Sequence, residues 1–96
     1  MYLATNLKWL RQRKKRTQEE VAFALDMKRG TYSGYENGIG EPSLVKLAAL
    51  ANYYKITLDS LVTIDLRKVS EKYYQNLMQL EYQLRENVER GKNAFV

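Results

Sequence analysis

Ninety-six residues with a net charge of +5, and with neither cysteine nor histidine, confine this chain to a narrow set of chemistries. A chain this short builds one compact core plus an appendage, and the missing residue types exclude disulfide frameworks, thiolate or imidazole metal sites, and Cys/His or Ser/His catalysis. The charge is uneven: residues 1–42 carry eight Lys/Arg against five Asp/Glu, and Lys8, Arg11, Arg13, Lys14, Lys15 and Arg16 make a cluster that attracts polyanions, although a charge run is more often a solvated helix face.

Apolar residues recur at helical spacing almost throughout, without β-branched alternation, so the fold class is expected to be all-α. A first helix is predicted from about Thr5 to Lys15, with Leu7 and Leu10 one turn apart and Trp9 off that stripe, packed against another helix. Thr17-Gln18-Glu19-Glu20 reads as a capping box that starts a second helix at Gln18. That helix ends near Asp26, whose short polar side chain tolerates the left-handed conformation. A third helix carries Tyr32 and Tyr35 inward and stops at Asn37-Gly38. After the turn around Pro42, Ser43 opens a fourth helix whose Leu44, Leu47, Ala48, Leu50, Ala51 and Tyr54 suggest the central core helix. Thr57 caps a short fifth helix through Leu61, stapled by Ile56.

The second and third helices have the spacing of two short helices joined by a tight turn. At Leu7-Lys8-Trp9-Leu10-Arg11, Thr17-Gln18-Glu19-Glu20-Val21-Ala22, Tyr35-Glu36-Asn37-Gly38, Glu41-Pro42-Ser43-Leu44 and Ile56-Thr57-Leu58-Asp59-Ser60-Leu61, the chain resembles the Xre family of helix-turn-helix DNA-binding proteins, the Cro and phage-repressor class. The resemblance covers roughly residues 5–62. It implies a five-helix domain over residues 1–65, with the second helix lying across the DNA backbone and the third reading bases.

Carried over by position, the resemblance implies a DNA-facing set of Thr17, Gln18, Lys28, Arg29, Gly30, Thr31, Ser33, Gly34 and Asn37. Gln18 takes the place of a phosphate anchor, and Arg29 that of a base reader whose fork pairs with guanine N7 and O6. Glu36 is expected to be structural, because its charge repels phosphate. Three departures stand out, the first being Asp26 where the family usually places glycine in the turn. Lys28 replaces the usual serine or threonine cap and puts a cation at the positive end of the helix, which a neighbouring phosphate would turn to advantage. Gly30 and Gly34 fall where family members read bases, so either the helix backbone lies close to DNA or base reading has decayed.

Residues 66–96 lie outside the resemblance. Leu66, Val69, Tyr73, Leu77, Leu80, Leu84 and Val88 follow spacings that add up to two 11-residue repeats, which keeps the stripe on one face of a nearly straight helix. A helix of about 25 residues spans roughly 37 Å, more than so small a domain can cover. The stripe is therefore expected to pair with a second copy, antiparallel or crossed, widened by Tyr74, Met78 and Tyr82. The function so implied is a dimeric transcriptional regulator, a repressor on a palindromic operator, with no catalytic residue, cofactor or metal. No run approaches the roughly 20 apolar residues a bilayer needs, so a cytoplasmic location is expected. An antitoxin whose tail binds a protein toxin is the competing reading.

Overall fold

The computed structural model describes residues 1–94, except for the side chains at 81, 85 and 87–94. Its elements in chain order are α1 (Leu3–Arg13), α2 (Gln18–Ala24), α3 (Arg29–Glu36), α4 (Leu44–Tyr53), α5 (Leu58–Thr63), a 3-10 turn (Leu66–Lys68) and α6 (Glu71–Ala94). No described residue lies in a strand, as expected of an all-α chain.

Hydroxyl caps set most of the helix starts. Thr17 Oγ1 accepts from the Glu20 amide at 3.0 Å while the Thr17 amide donates to Glu20 Oε1 at 2.9 Å, which completes the capping box. Ser43 and Thr57 cap α4 and α5 in the same way, accepting from the amides of Lys46 and Ser60. The helix ends also share a device. Each of α1 to α4 closes with one residue at positive φ: Lys15 (56°), Asp26 (52°), Gly38 (71°) and Lys55 (55°). In all four, that residue's amide bonds the carbonyl three positions back and the next amide bonds the carbonyl five back, as at Lys15 to Gln12 with Arg16 to Arg11. This double bond pattern satisfies carbonyls that the helix end would leave open. Asp26 does what its side chain suggested. Asn37 stays right-handed, at φ −93°, and Gly38 alone makes the α3 stop.

The hub of the domain is α1, which packs on α3, α5 and the 3-10 turn and buries Leu3, Leu7 and Leu10. The fourth helix was expected to be central and is instead peripheral. Only Leu50 and Ala51 of α4 are buried, and Leu44 and Val45 remain 72% and 77% exposed, because the helix packs by its C-terminal half. Val21, Ala22, Tyr32, Tyr35, Tyr54, Ile56 and Leu61 fill the space between the helices. The hydroxyls of Tyr32 and Tyr54 meet at 2.6 Å inside this core. Burial there raises both phenols well above their ordinary range, so the pair stays neutral and each hydroxyl has a partner, as a buried polar group requires.

Leu66 belongs to this core and not to the tail stripe. Asn6, fully buried in α1, donates from Nδ2 to the carbonyls of Leu61 (2.8 Å) and Ile64 (2.6 Å) and accepts the Leu66 amide at 3.0 Å. These three bonds break the helical path after α5 and pull Leu66 to zero exposure. The long helix consequently starts at Glu71, where Ser70 Oγ accepts from the Tyr73 amide at 3.1 Å. Its first turns lie against α1, with Tyr74 buried edge-on to Trp9 at a centroid separation of 5.1 Å, and with Val69, Leu77 and Met78 partly buried beside it. Trp9 thus packs against another helix, as its place off the Leu7/Leu10 stripe suggested. Among the described residues no helix is long and apolar enough to cross a membrane.

Candidate nucleic-acid interface

The residues of α3 divide by exposure, the buried ones on one side and the exposed ones at its N-terminal end and on the other side. Tyr32, Tyr35 and Glu36, spaced by three and four, are buried, which is the spacing of one side of a helix. Lys28, Arg29, Gly30, Thr31 and Asn37 are exposed, and Ser33 and Gly34 are half-buried. The polar surface between them contains no large apolar group.

What holds α3 in place is an ion pair at its buried end. Arg11 of α1 donates to both carboxylate oxygens of Glu36, Nε to Oε2 at 2.7 Å and Nη2 to Oε1 at 3.1 Å. Its third contact, Nη1 to the Arg16 carbonyl at 3.0 Å, fastens the loop that leads into α2. Gln18, the first residue of α2, completes the cluster by donating Nε2 to Glu36 Oε1 at 3.1 Å. The Glu36 side chain is 1% exposed. Burial alone would push its carboxyl up, but hydrogen bonds from Arg11, Tyr32 and Gln18 outweigh that and hold it below its ordinary value. The hydrogen bond to Glu36 likewise raises Arg11. One carboxylate therefore fixes α1, α2 and α3 relative to one another.

Most of the residues expected to face DNA stand at two helix starts. Thr17 and Gln18 open α2, and Lys28, Arg29, Gly30 and Thr31 open α3. Lys28 is the N-cap of α3 and makes no side-chain capping bond. The first-turn amides of α3 thus lack a side-chain acceptor at the cap, and an anion placed there would meet both those amides and the Lys28 ammonium. Gln18 has an intramolecular partner that pattern alone did not reveal. Its bond to Glu36 orients the amide at the start of α2 and leaves that amide's second N–H for an acceptor outside.

The two glycines of α3 differ. A Cβ at Gly30 would meet nothing within 4 Å, so the fold does not require glycine there. Gly34 is half-buried under the following loop: its carbonyl accepts the amides of Ile39 (2.9 Å) and Gly40 (3.2 Å), and a Cβ would lie 3.8 Å from the Gly40 nitrogen. Only Gly30 stands on open surface. Asn37 caps the same face and donates Nδ2 to Ser33 Oγ at 3.4 Å, a long bond that either side chain can exchange for an external partner.

Comparison with known proteins agrees with this geometry. A family model described as Helix-turn-helix matches residues 7–61. The cryptic phage CTXphi transcriptional repressor RstR of Vibrio cholerae is 28% identical over 78 residues, covering 81% of this chain and 70% of that protein. The HTH-type transcriptional regulator AnsR of Bacillus subtilis is 37% identical over 59 residues, which are 62% of this chain and 51% of the relative. YqaE, an uncharacterized HTH-type transcriptional regulator of the same organism, is 35% identical over 71 residues, 74% of this chain and 59% of its own length. The chain thus spans little more than half of the two Bacillus subtilis relatives. No solved structure matches it.

Proposed function

This chain belongs to the helix-turn-helix family, and from that premise we propose that it binds a specific double-stranded DNA site as a dimeric transcriptional regulator, repressing by occupying a promoter. The observation that carries the reading is α3, held by its buried side and open at its N-terminal end. Its inner side is clamped to α1 and α2 through Glu36, while Arg29, Gly30 and Thr31 project into open solvent at its N-terminal end. That is the end of such a helix that meets base edges in the major groove. In this reading Arg29 reads a guanine, Lys28 and the first-turn amides of α3 hold one phosphate, and Thr17 and Gln18 hold another from the start of α2.

Selection of bound duplexes from a random pool tests the proposal, and failure to enrich any motif would end it. Within the enriched site, Arg29→Ala is expected to weaken binding by about 1–3 kcal/mol and to relax preference at one base pair. Lys28→Ala should weaken all duplexes alike and lower the steepness of the salt dependence by about one counterion. Competition titrations at several salt concentrations separate the two patterns; equal losses on site and random DNA for Arg29→Ala would remove its base-reading role.

Gly30 gives an independent check. Where the backbone conformation suits alanine, glycine to alanine stabilises by about 0.4–1 kcal/mol, and nothing within 4 Å of Gly30, in the first turn of α3, opposes the added methyl. Gly30→Ala should therefore raise the melting temperature by roughly 2–8 °C. If the α3 backbone sits against DNA at this point, the same variant will bind its site more weakly although it is more stable. A variant that gains both stability and affinity would show that no close backbone approach occurs there.

A further inference from the structure

The contact between α1 and the first turn of α6 has a geometry that core packing does not require. Arg13 lies with its guanidinium carbon 4.2 Å from the centre of the Tyr74 ring and 5.4 Å from that of Trp9. It also makes a two-pronged ion pair with Glu71, one prong being Nη1 to Oε2 at 2.8 Å and the other Nη2 to Oε1. Gln75 Nε2 donates to the same carboxylate at 3.1 Å, and these bonds, Arg13's first, hold Glu71 down to about 2. The Glu71 side chain is 62% exposed, and ion pairs so exposed add little to stability. Their geometry, however, is directional: a forked guanidinium that must satisfy a carboxylate in its plane and an aromatic ring across its face has very few poses open to it.

A second tie lies on the same side of α1. Asn6, Trp9 and Arg13 are spaced by three and four and so share one helix face. Asn6 fixes Leu66 and the carbonyls before it, whereas Trp9 and Arg13 fix Glu71 and Tyr74. The two attachments are about 10 Å apart along α1. The first pins the chain just before α6 and the second pins the helix's own first turn, so the direction in which α6 leaves α1 is constrained from both sides of its start. From Met78 to Ala94 the helix then runs on for about 24 Å, so a 10° change at the attachment displaces its far end by about 4 Å.

We propose that Trp9, Arg13, Glu71 and Tyr74 form a latch that fixes the angle of α6 on the helix-turn-helix domain and so determines which half-site spacing the dimer accepts. The proposal rests on the dimeric reading above. In that dimer the α6 pair joins two domains whose recognition helices must fall one DNA turn apart, about 34–36 Å. Adding two base pairs between half-sites moves them by about 7 Å and turns them by roughly 70° relative to each other. A rigid latch rejects that change and a loose one follows it. Glu71 and Tyr74 act as positioning residues in this scheme and touch no DNA.

The test is selection from a random duplex pool by the full-length chain, run in parallel for wild type, Glu71→Gln, Tyr74→Leu and Tyr74→Phe, with sedimentation of each. Wild type and Tyr74→Phe, which keeps the ring under Arg13, should enrich paired half-sites at one separation. Glu71→Gln and Tyr74→Leu should enrich the same half-site motif at separations spread over several base pairs, while still sedimenting as dimers. Their preference for the favoured spacing over one two base pairs longer should fall roughly tenfold. Dimeric variants that keep the wild-type spacing as sharply would overturn the latch. A wild-type chain that is monomeric and enriches only single half-sites would instead overturn the dimeric reading, and the latch proposal with it.

Discussion

Glu36→Ala is expected to destabilise the domain by about 3–5 kcal/mol, the range for removing one partner of a buried ion pair, and to lower its melting temperature by roughly 15 °C or more. The loss is large because two groups are stranded and a third is loosened. Arg11, with its side chain only 15% exposed, keeps its charge without a counter-ion, Gln18 Nε2 loses its acceptor, and the loop carbonyl of Arg16 is left held by an arginine that nothing steers. Against a total stability of about 5–15 kcal/mol for a small domain, such a change is decisive. Thermal melts followed by circular dichroism would measure it. A shift of only a few degrees would mean that Arg11 finds water and that the clamp is dispensable. Arg11→Met combined with Glu36→Leu should recover much of the loss, because an apolar pair of similar volume often replaces a buried ion pair without net cost. That double variant should still bind DNA poorly, since Gln18 no longer has its anchor.

The same carboxylate makes the domain acid-sensitive in a definite window. Glu36 in the folded chain lies below the ordinary value of 4.5. Its contribution is therefore fully present above that value and is lost as pH falls through it toward the folded-state value. Asp65, lowered first by its hydrogen bond to Arg67, acts in the same direction, and Glu71, held at about 2, does so only weakly because its ion pair is exposed. Stability should be flat with respect to these groups near neutrality and decline below about pH 4.5.

Much of this arrangement is legible in the sequence because it depends on local chemistry. Thr17, Ser43 and Thr57 announce helix starts, since a hydroxyl three positions before a free amide needs no tertiary context to cap it. The ends of α1 and α4 are illegible for the converse reason. Lysine does not favour positive φ, and Lys15 and Lys55 adopt it because the following residues close the double bond pattern. The tail boundary was hidden by Asn6. An asparagine inside a helix carries no pattern that points to partners 55 to 60 residues away, yet its three bonds end the regular path and draw Leu66 into the core. Ser70 was the local signal for the true start of α6. Within the candidate site, the inward Tyr32 and Tyr35 follow from spacing and Glu36 was expected to be structural, whereas Arg29 shares the azimuth of Glu36 and is exposed because it stands at the free N-terminal end of α3. The partners of Glu36 come from α1 and α2, and only the fold brings Arg11 and Gln18 together.

Leu80→Asp combined with Leu84→Asp should convert the chain to a monomer and weaken its binding to a palindromic site by about 10²–10⁴-fold, the advantage that linking two binding modules confers. The basis is the part of α6 that its own domain leaves uncovered. Tyr74, Leu77 and Met78 face α1 or lie beside it, whereas Tyr73, Leu80 and Leu84 are 47%, 55% and 47% exposed. At 100° per residue these three sit roughly a quarter-turn round the helix from Tyr74, so a second copy can occupy their face without disturbing the contact with α1. Tyr82 falls on the other flank, where its hydroxyl donates to Glu86 Oε1 at 3.1 Å, and the Val88 side chain lies outside the described residues. Because Leu80 and Leu84 are exposed and lie outside the core cluster, the aspartates should leave the melting temperature of the domain itself nearly unchanged, which separates lost association from lost folding. Sedimentation at tens of micromolar reads the first effect and titration with one half-site against the full palindrome reads the second. A wild-type chain that is already monomeric at that concentration would assign the stripe to a different protein, as the antitoxin reading requires. Aspartates that leave both the dimer and the affinity intact would place the dimer interface away from α6 altogether.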